Sequence, residues 1–349
     1  MVEPITAKPV ALPDFANGTL NLASARLGAR GLYATDQFFA PLERMLRDET
    51  PVFLPGEYDE NGKWMDGWES RRKRVPGHDW ALIQLARPGR VFGFDVDTSF
   101  FTGNFPPACS IEAAFCDGAP DDATHWTELL TRTALKGDSH NFHAVADAQL
   151  RAQVWTHLRL HIYPDGGIAR LRVYGAAHFD WSTVADGQEI DLAYLFHGAR
   201  PLAWSDAHYG SPERLLAPGR GVNMGDGWET ARRRGPGHDW AIIKLGHAGT
   251  IHRVVIDTAH FKGNYPESCE LRGAYLPDRV GPLPQADIEA SEEWQPILPR
   301  HKLHMDQVHE FVSQVAGGVG PVTHVRFAIH PDGGISRLRL FGSVFRRKD

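Results

Sequence analysis

The sequence predicts an all-β chain built as two tandem antiparallel β-sandwich domains, residues 1–180 and 181–349, and three observations carry the prediction. One long block of residues occurs twice, short β-branched and aromatic runs alternate with turn signals, and amphipathic helical periods between those runs are scarce. The length agrees. A chain of 349 residues is too long for one ordinary core. It suits two units of roughly 150 to 170 residues, each able to bury about 70% of its unfolded surface.

The repeated block runs DGWESRRKRVPGHDWALIQLARPGRVFGFDVDTSFFTGNFPPACSIEAAF from Asp66 and DGWETARRRGPGHDWAIIKLGHAGTIHRVVIDTAHFKGNYPESCELRGAY from Asp226. The two align without a gap at a constant offset, Trp68 against Trp228, and about half the paired positions are identical. The shared residues are mostly polar, Gly, Pro or Trp, which a repeat kept only for its core would not need. The functional question therefore sits in this block.

In chain order, an irregular leader reaches about Asn17. The stretch from Leu20 then recurs from Ile190, matching Gly28-Ala29-Arg30 with Gly198-Ala199-Arg200, Asp36 with Asp206, and Glu43-Arg44 with Glu213-Arg214. The first copy adds a longer segment, TPVFLPGEYDENGKW from Thr50, whose Pro, Gly and Asn content marks a surface loop. Inside the block, Trp80–Leu85 and Val91–Val96 read as two short strands joined by a turn. Downstream, THLRLHIYPDGGIARLRVYG from Thr156 recurs as THVRFAIHPDGGISRLRLFG from Thr323. Leu158, Leu160 and Ile162 alternate there with His157, Arg159 and His161, so one face of the strand is buried. The pieces between differ in length: ASEEWQPILP from Ala290 in the second copy, and a helical turn around Asn141 to Gln153 in the first. His140-x-Phe142 is matched there with His309-x-Phe311, and the link between domains falls near Phe179 to Gly187.

A formal net charge of −6 and a pI near 6.3 argue against a nucleic-acid or anionic-membrane partner. The N-terminal segment lacks the apolar core of a secretory signal, and no stretch is apolar for long enough to span a bilayer. Three cysteines is an odd number, and Cys109 and Cys269 occupy matching positions, so each is expected alone in its own domain, in a reducing compartment. The expectation is a cytoplasmic, homo-oligomeric protein with a small-molecule partner.

The motifs GHDWAxIxL and DT(S/A)xFxGN(F/Y)P, each present twice and each followed by PDGGI(A/S)RLR, resemble the allantoicase family, and the resemblance runs from about Leu20 to Gly342. It implies a pair of jelly-roll domains of the galactose-binding-like type. It also implies hydrolysis of allantoate to ureidoglycolate and urea in purine catabolism. Two further classes fit a tandem sandwich: a non-catalytic carbohydrate-binding protein, and another metal-assisted amidohydrolase.

The candidate site residues follow from the chemistry of an anionic ureido substrate. His238 and Asp239, beside a Pro-Gly turn, suit proton transfer near neutral pH, with Glu229 and His260 as further catalytic candidates. Arg232 and Arg234, with first-copy partners Arg72 and Arg74, suit a bidentate grip on a carboxylate. Asn264 and Asn104 can both donate to and accept from a ureido group, and His78 and Asp79 complete the binding set in the first copy. The second copy is favoured for chemistry because His260 stands where the first copy has Phe100. Trp80 and Trp240 are read as plugs of the sandwich core, the glycines of PDGG and of Gly103 and Gly263 as positive-φ turn residues, and Asp97 and Asp257 as acceptors for loop amides.

No HxxxH or HExxH helix and no Cys-x-x-Cys pair is read, so no zinc-type site is assigned. A divalent metal built from His and Asp of distant loops is left open, and no other cofactor is implied. The lack of a GxSxG elbow or phosphate loop disfavours a covalent mechanism. Allantoate can instead lose urea when one ureido nitrogen is protonated, the other nitrogen stabilising the carbon until water adds. One acid, one base and a carboxylate clamp suffice.

Overall fold

The computed structural model describes residues 3–279 and 294–347, so Ala290 to Glu293 of the variable ASEEWQPILP piece lie outside the described residues. The chain folds as two compact units, Met1–His178 and Phe179–Asp349.

Each unit is an eight-stranded antiparallel system centred on one long strand, Asp79–Asp97 in the first and Asp239–Asp257 in the second. A straight strand of 19 residues would run roughly 60 Å. Both ends of Asp79–Asp97 are nevertheless tied to one turn, since the Asp79 N–H donates to the Pro164 carbonyl and the Ala169 N–H to the Asp97 carbonyl. The strand must therefore bend back. Its first half pairs with Trp155–Tyr163 and Arg30–Ala34, its second with Arg170–Ala177 and Phe142–Ala144, and the pairing shifts register between Gln84 and Gly89. One strand thus serves both layers of the sandwich, where sequence patterning predicted two strands and a turn. The second unit repeats the plan, with Val322–His330 and Arg337–Val344 on the two halves.

Alternation places Ala81, Ile83, Leu158, Leu160 and Ile162 of one layer against Phe94, Val96, Leu171 and Val173 of the other, all fully buried. Trp80 and Trp240 point the other way. Trp80 is half-buried under the Arg159 guanidinium, and Trp240 packs with Ile242, Ala274, Trp294 and Ala328 on the outer face. The tryptophans that plug the interior are Trp68 and Trp228, whose Nε1–H groups donate to the Asp36 and Asp206 carbonyls. A five-residue helix, Ala148–Ala152, fills the predicted helical turn, preceded by a short strand. The match of His140 with His309 is one residue out of register: Asn141 and His309 each accept the equivalent loop amide, from Lys136 and His304 respectively.

The PDGG glycines divide in role. Gly166 and Gly333 have φ of 142° and 133°, as a turn requires, whereas Gly167 and Gly334 are needed for space. A Cβ on Gly334 would stand 1.9 Å from the Phe261 ring. Gly334→Ala is expected to lower stability by about 1–3 kcal/mol, read as a shifted unfolding midpoint in denaturant. Gly103 and Gly263 have neither positive φ nor a crowding neighbour, so they are not the positive-φ turn residues the sequence predicted.

Buried His324 is held neutral, chiefly by desolvation, with its pKa pushed down to about 4. Unfolded histidine titrates near 6.5, so between about 6.5 and 4 the unfolded chain binds more protons and the fold loses stability as pH falls. The measurement is the ring C–H resonance of His324, expected to stay in its neutral position down to about pH 5. A midpoint near 6.5 would contradict burial of the neutral form.

Candidate active site

The shared motifs converge on the turn that joins the two layers. In the second unit Glu229 pairs with Gly334, the Thr230 N–H donates to the Gly333 carbonyl, and the Arg233 N–H donates to the Asp332 carboxylate. The Asp239 N–H donates to the Pro331 carbonyl, and the Gly334 N–H to the Asn264 carbonyl. Residues far apart in sequence thereby line one end of the sandwich. The first arginine of the turn motif is structural: Arg337 is buried and grips the Asp226 carboxylate at 2.7 Å, as Arg170 grips Asp66.

Among the predicted residues, Glu229 and Asn264 are brought together, the amide donating to the carboxylate, and Glu69 and Asn104 repeat the pair at 2.7 Å. The two copies differ in cover. In the first, Phe53 of the longer loop stacks on Phe100, the Lys63 ammonium lies over Phe53, and burial raises the Glu69 pKa. Glu229 is less buried than Glu69. Arg72, Arg74, Arg232 and Arg234 are exposed, and none forms an ion pair among the described residues.

Asp79 and Asp239 do not sit at the rim. Both are buried and each is bonded through one oxygen, Asp79 to Lys73 and Thr35 and Asp239 to Arg233 and Ser205, because an isolated carboxylate at that depth would be too costly. Each ties the basic loop to the start of the long strand. His260 is likewise committed to loop structure. It adopts φ of 72°, its backbone N–H donates to Asp306, and its Nε2 meets the Gly221 carbonyl at 2.8 Å. Phe100 shares the conformation, with φ of 67°, so the His260/Phe100 difference does not by itself distinguish an active copy. Asp97 and Asp257 accept loop amides as predicted.

His238 meets partners that repeat matching had missed. Its ring lies 4.4 Å from that of His330, the Arg326 Nη2 is 3.2 Å from its Nε2, and donor atoms of His238, Glu270 and His330 all lie within 4.8 Å of one another. A guanidinium can only donate, so Nε2 of His238 accepts and Nδ1 carries the proton of the neutral ring. Burial first, and then Arg326, hold His238 below its usual pKa, and burial with His238 and Arg300 pushes His330 down to about 4. The His330 Nε2 is buried without a partner among the described residues. In the first copy the equivalents of Glu270 and His330 are Ser110 and Tyr163, hydrogen-bonded to each other at 2.9 Å.

The allantoicase-repeat family model matches residues 20–178 and 190–345. The chain belongs to the allantoicase family. Allantoicase relatives span it nearly end to end: a protein of Rhizobium meliloti (strain 1021) named Probable allantoicase is 55% identical, covering 95% of this chain and 96% of that one. One of the same name from Pseudomonas aeruginosa (strain UCBPP-PA14) is 54% identical over 93% and 96%. The crystal structure of allantoicase from Saccharomyces cerevisiae, 32% identical over 94% of this chain and 95% of that one, superposes with a TM-score of 0.76. The all-β, two-domain architecture and the hydrolase class follow from this membership.

As an allantoicase repeat, the second unit supplies the one group of three, among the described residues, whose donor atoms could hold a metal: His238, Glu270 and His330. Two imidazoles and a carboxylate suit a divalent ion, while Arg326 already places a positive charge against His238. No described helix is long and apolar enough to cross a membrane.

Proposed function

We propose that this allantoicase hydrolyses allantoate to ureidoglycolate and urea at the turn end of its second repeat. The observation that carries this reading is the convergence of His238, His330 and Glu270, which the first repeat replaces with a closed Ser110–Tyr163 pair. His238 presents an N–H toward a leaving ureido nitrogen, and His330, kept neutral, receives the proton of the attacking water. Glu270 stabilises the charge that develops between them. In this reading the exposed Arg232 and Arg234 grip the substrate carboxylate, and the Glu229–Asn264 pair accepts from and donates to the retained ureido group. In this reading Asp239 holds the Arg233 loop and His260 closes the neighbouring one. The protein works in the cytoplasm as a homo-oligomer, with native mass as the check on assembly.

In this route water adds to the carbon that bears the carboxylate, and no urea carbonyl is attacked. Turnover in ¹⁸O water is expected to give labelled ureidoglycolate and unlabelled urea. Label in the urea would mean carbonyl attack and would sink the mechanism.

A further inference from the structure

The outer face of the first repeat carries a chain of three titratable groups that the second lacks. The Nε2 of His78 lies 2.9 Å from Nδ1 of His161, and Nε2 of His161 lies 3.0 Å from the Glu112 carboxylate. At the positions of His161 and Glu112 the second repeat has Ala328 and Arg272. The direction of the chain is fixed by chemistry. A carboxylate accepts, so His161 donates from Nε2 and accepts at Nδ1; His78 must then donate from Nε2, which leaves the lone pair of its neutral ring on Nδ1. That nitrogen has no partner among the described residues and is not buried.

The surroundings favour an anion. Facing His78 are Lys73, neutralised by Asp79; His161 and Tyr163 from the neighbouring strand; and Arg132, exposed, lying 4.2 Å over the Tyr163 ring without an ion pair among the described residues. Arg159 is committed to Glu112 at 3.5 Å and to the faces of Trp80 and Trp126. Burial, then His161 and Lys73, keep His78 below its usual pKa and therefore unprotonated at neutral pH. In the second repeat Arg300, the counterpart of Arg132, is bonded to Ser268 and Glu267.

We infer that the first repeat is a second reaction centre for the same ureido carboxylate, driven by a base: His78 as the catalytic residue, His161 and Glu112 as positioning residues, and Arg132 as the carboxylate grip. This rests on the substrate assigned above but not on the second-repeat site. His78 Nδ1 removes the N–H proton of one ureido group, the nitrogen lone pair forms a C=N bond, and the C–N bond to the other ureido group breaks. The same proton passes to the departing nitrogen, releasing urea. Water then adds across C=N, its proton moving through His78 to nitrogen, so one base serves both halves and nothing is consumed but water.

The test uses full-length His238→Ala/His330→Ala protein, in which the second repeat is disabled, and measures urea release from allantoate across pH. A residual rate is expected, lowered about 10- to 100-fold by His161→Phe and by the nearly isosteric Glu112→Gln. Glu112→Gln should also move the acid limb of the residual profile to lower pH, because the carboxylate no longer supports a protonated His78. No residual rate, or a residual rate and profile untouched by both changes, overturns the inference. A double variant as fast as the wild type would refute the second-repeat site instead, and Glu112→Gln alone would then decide whether the relay carries the reaction.

Discussion

His238→Ala is expected to lower turnover of allantoate by roughly two orders of magnitude or more while leaving the unfolding transition in place. The ring is half-buried at the end of the sandwich, so its loss opens no core cavity, and its nearest polar partner, Arg326, already lies over the face of Trp240. His330→Ala should act similarly. His78→Ala should remove a smaller part of the activity, since it touches only the first repeat. Wild-type rates in both second-repeat variants would place the chemistry elsewhere on the chain, and the Glu229–Asn264 pair becomes the next candidate.

The largest loss of stability is expected from Arg337→Ala. Its guanidinium is almost fully buried, bonded to the carboxylate of Asp226 and to the carbonyls of Gly219, Asp226 and Ser336. Truncation removes the guanidinium bonded to a buried carboxylate, a change that costs about 3–5 kcal/mol. Arg170→Ala should cost less in the first unit, where Asp66 keeps Arg47 at 3.6 Å. Equilibrium denaturation reads both. A loss below about 1 kcal/mol would mean that water or another cation reaches the carboxylate, against the burial seen here.

The fold was largely legible because its signals are local. Alternation along Thr156–Tyr163 gave the buried face, the doubled PDGG turns gave the joints, and a constant offset gave the count of two. What misled was also local. Trp80 lies in a strand whose neighbours are core residues, yet period two puts it on the other face; nothing in its own identity says which. Likewise a long strand that bends between Gln84 and Gly89 looks, in sequence, like two strands and a turn.

For the site, matching one repeat against the other finds what the copies share, and it picked out Glu229, Asn264, His238 and Asp239. It passes over what they do not share. His330 is aligned with a tyrosine, Glu270 with a serine and His161 with an alanine, so these were invisible to it, although they differ between the two ends. Shared Asp239 meanwhile turned out to be a buried tie to Arg233.

By itself, then, the sequence determined the all-β class, the duplication, the turn motifs and the family resemblance, because each is written in short-range periodicity or in a pattern of neighbouring residues. The tertiary structure alone decided which side chains meet. His238, Glu270 and His330 come from three separate segments, and His78, Glu112 and His161 likewise; their meeting depends on sheet register and on a bend that folds one strand onto two layers. Moving the register by one residue would send every one of these groups to the opposite face, and that register is set by the packing of the whole core.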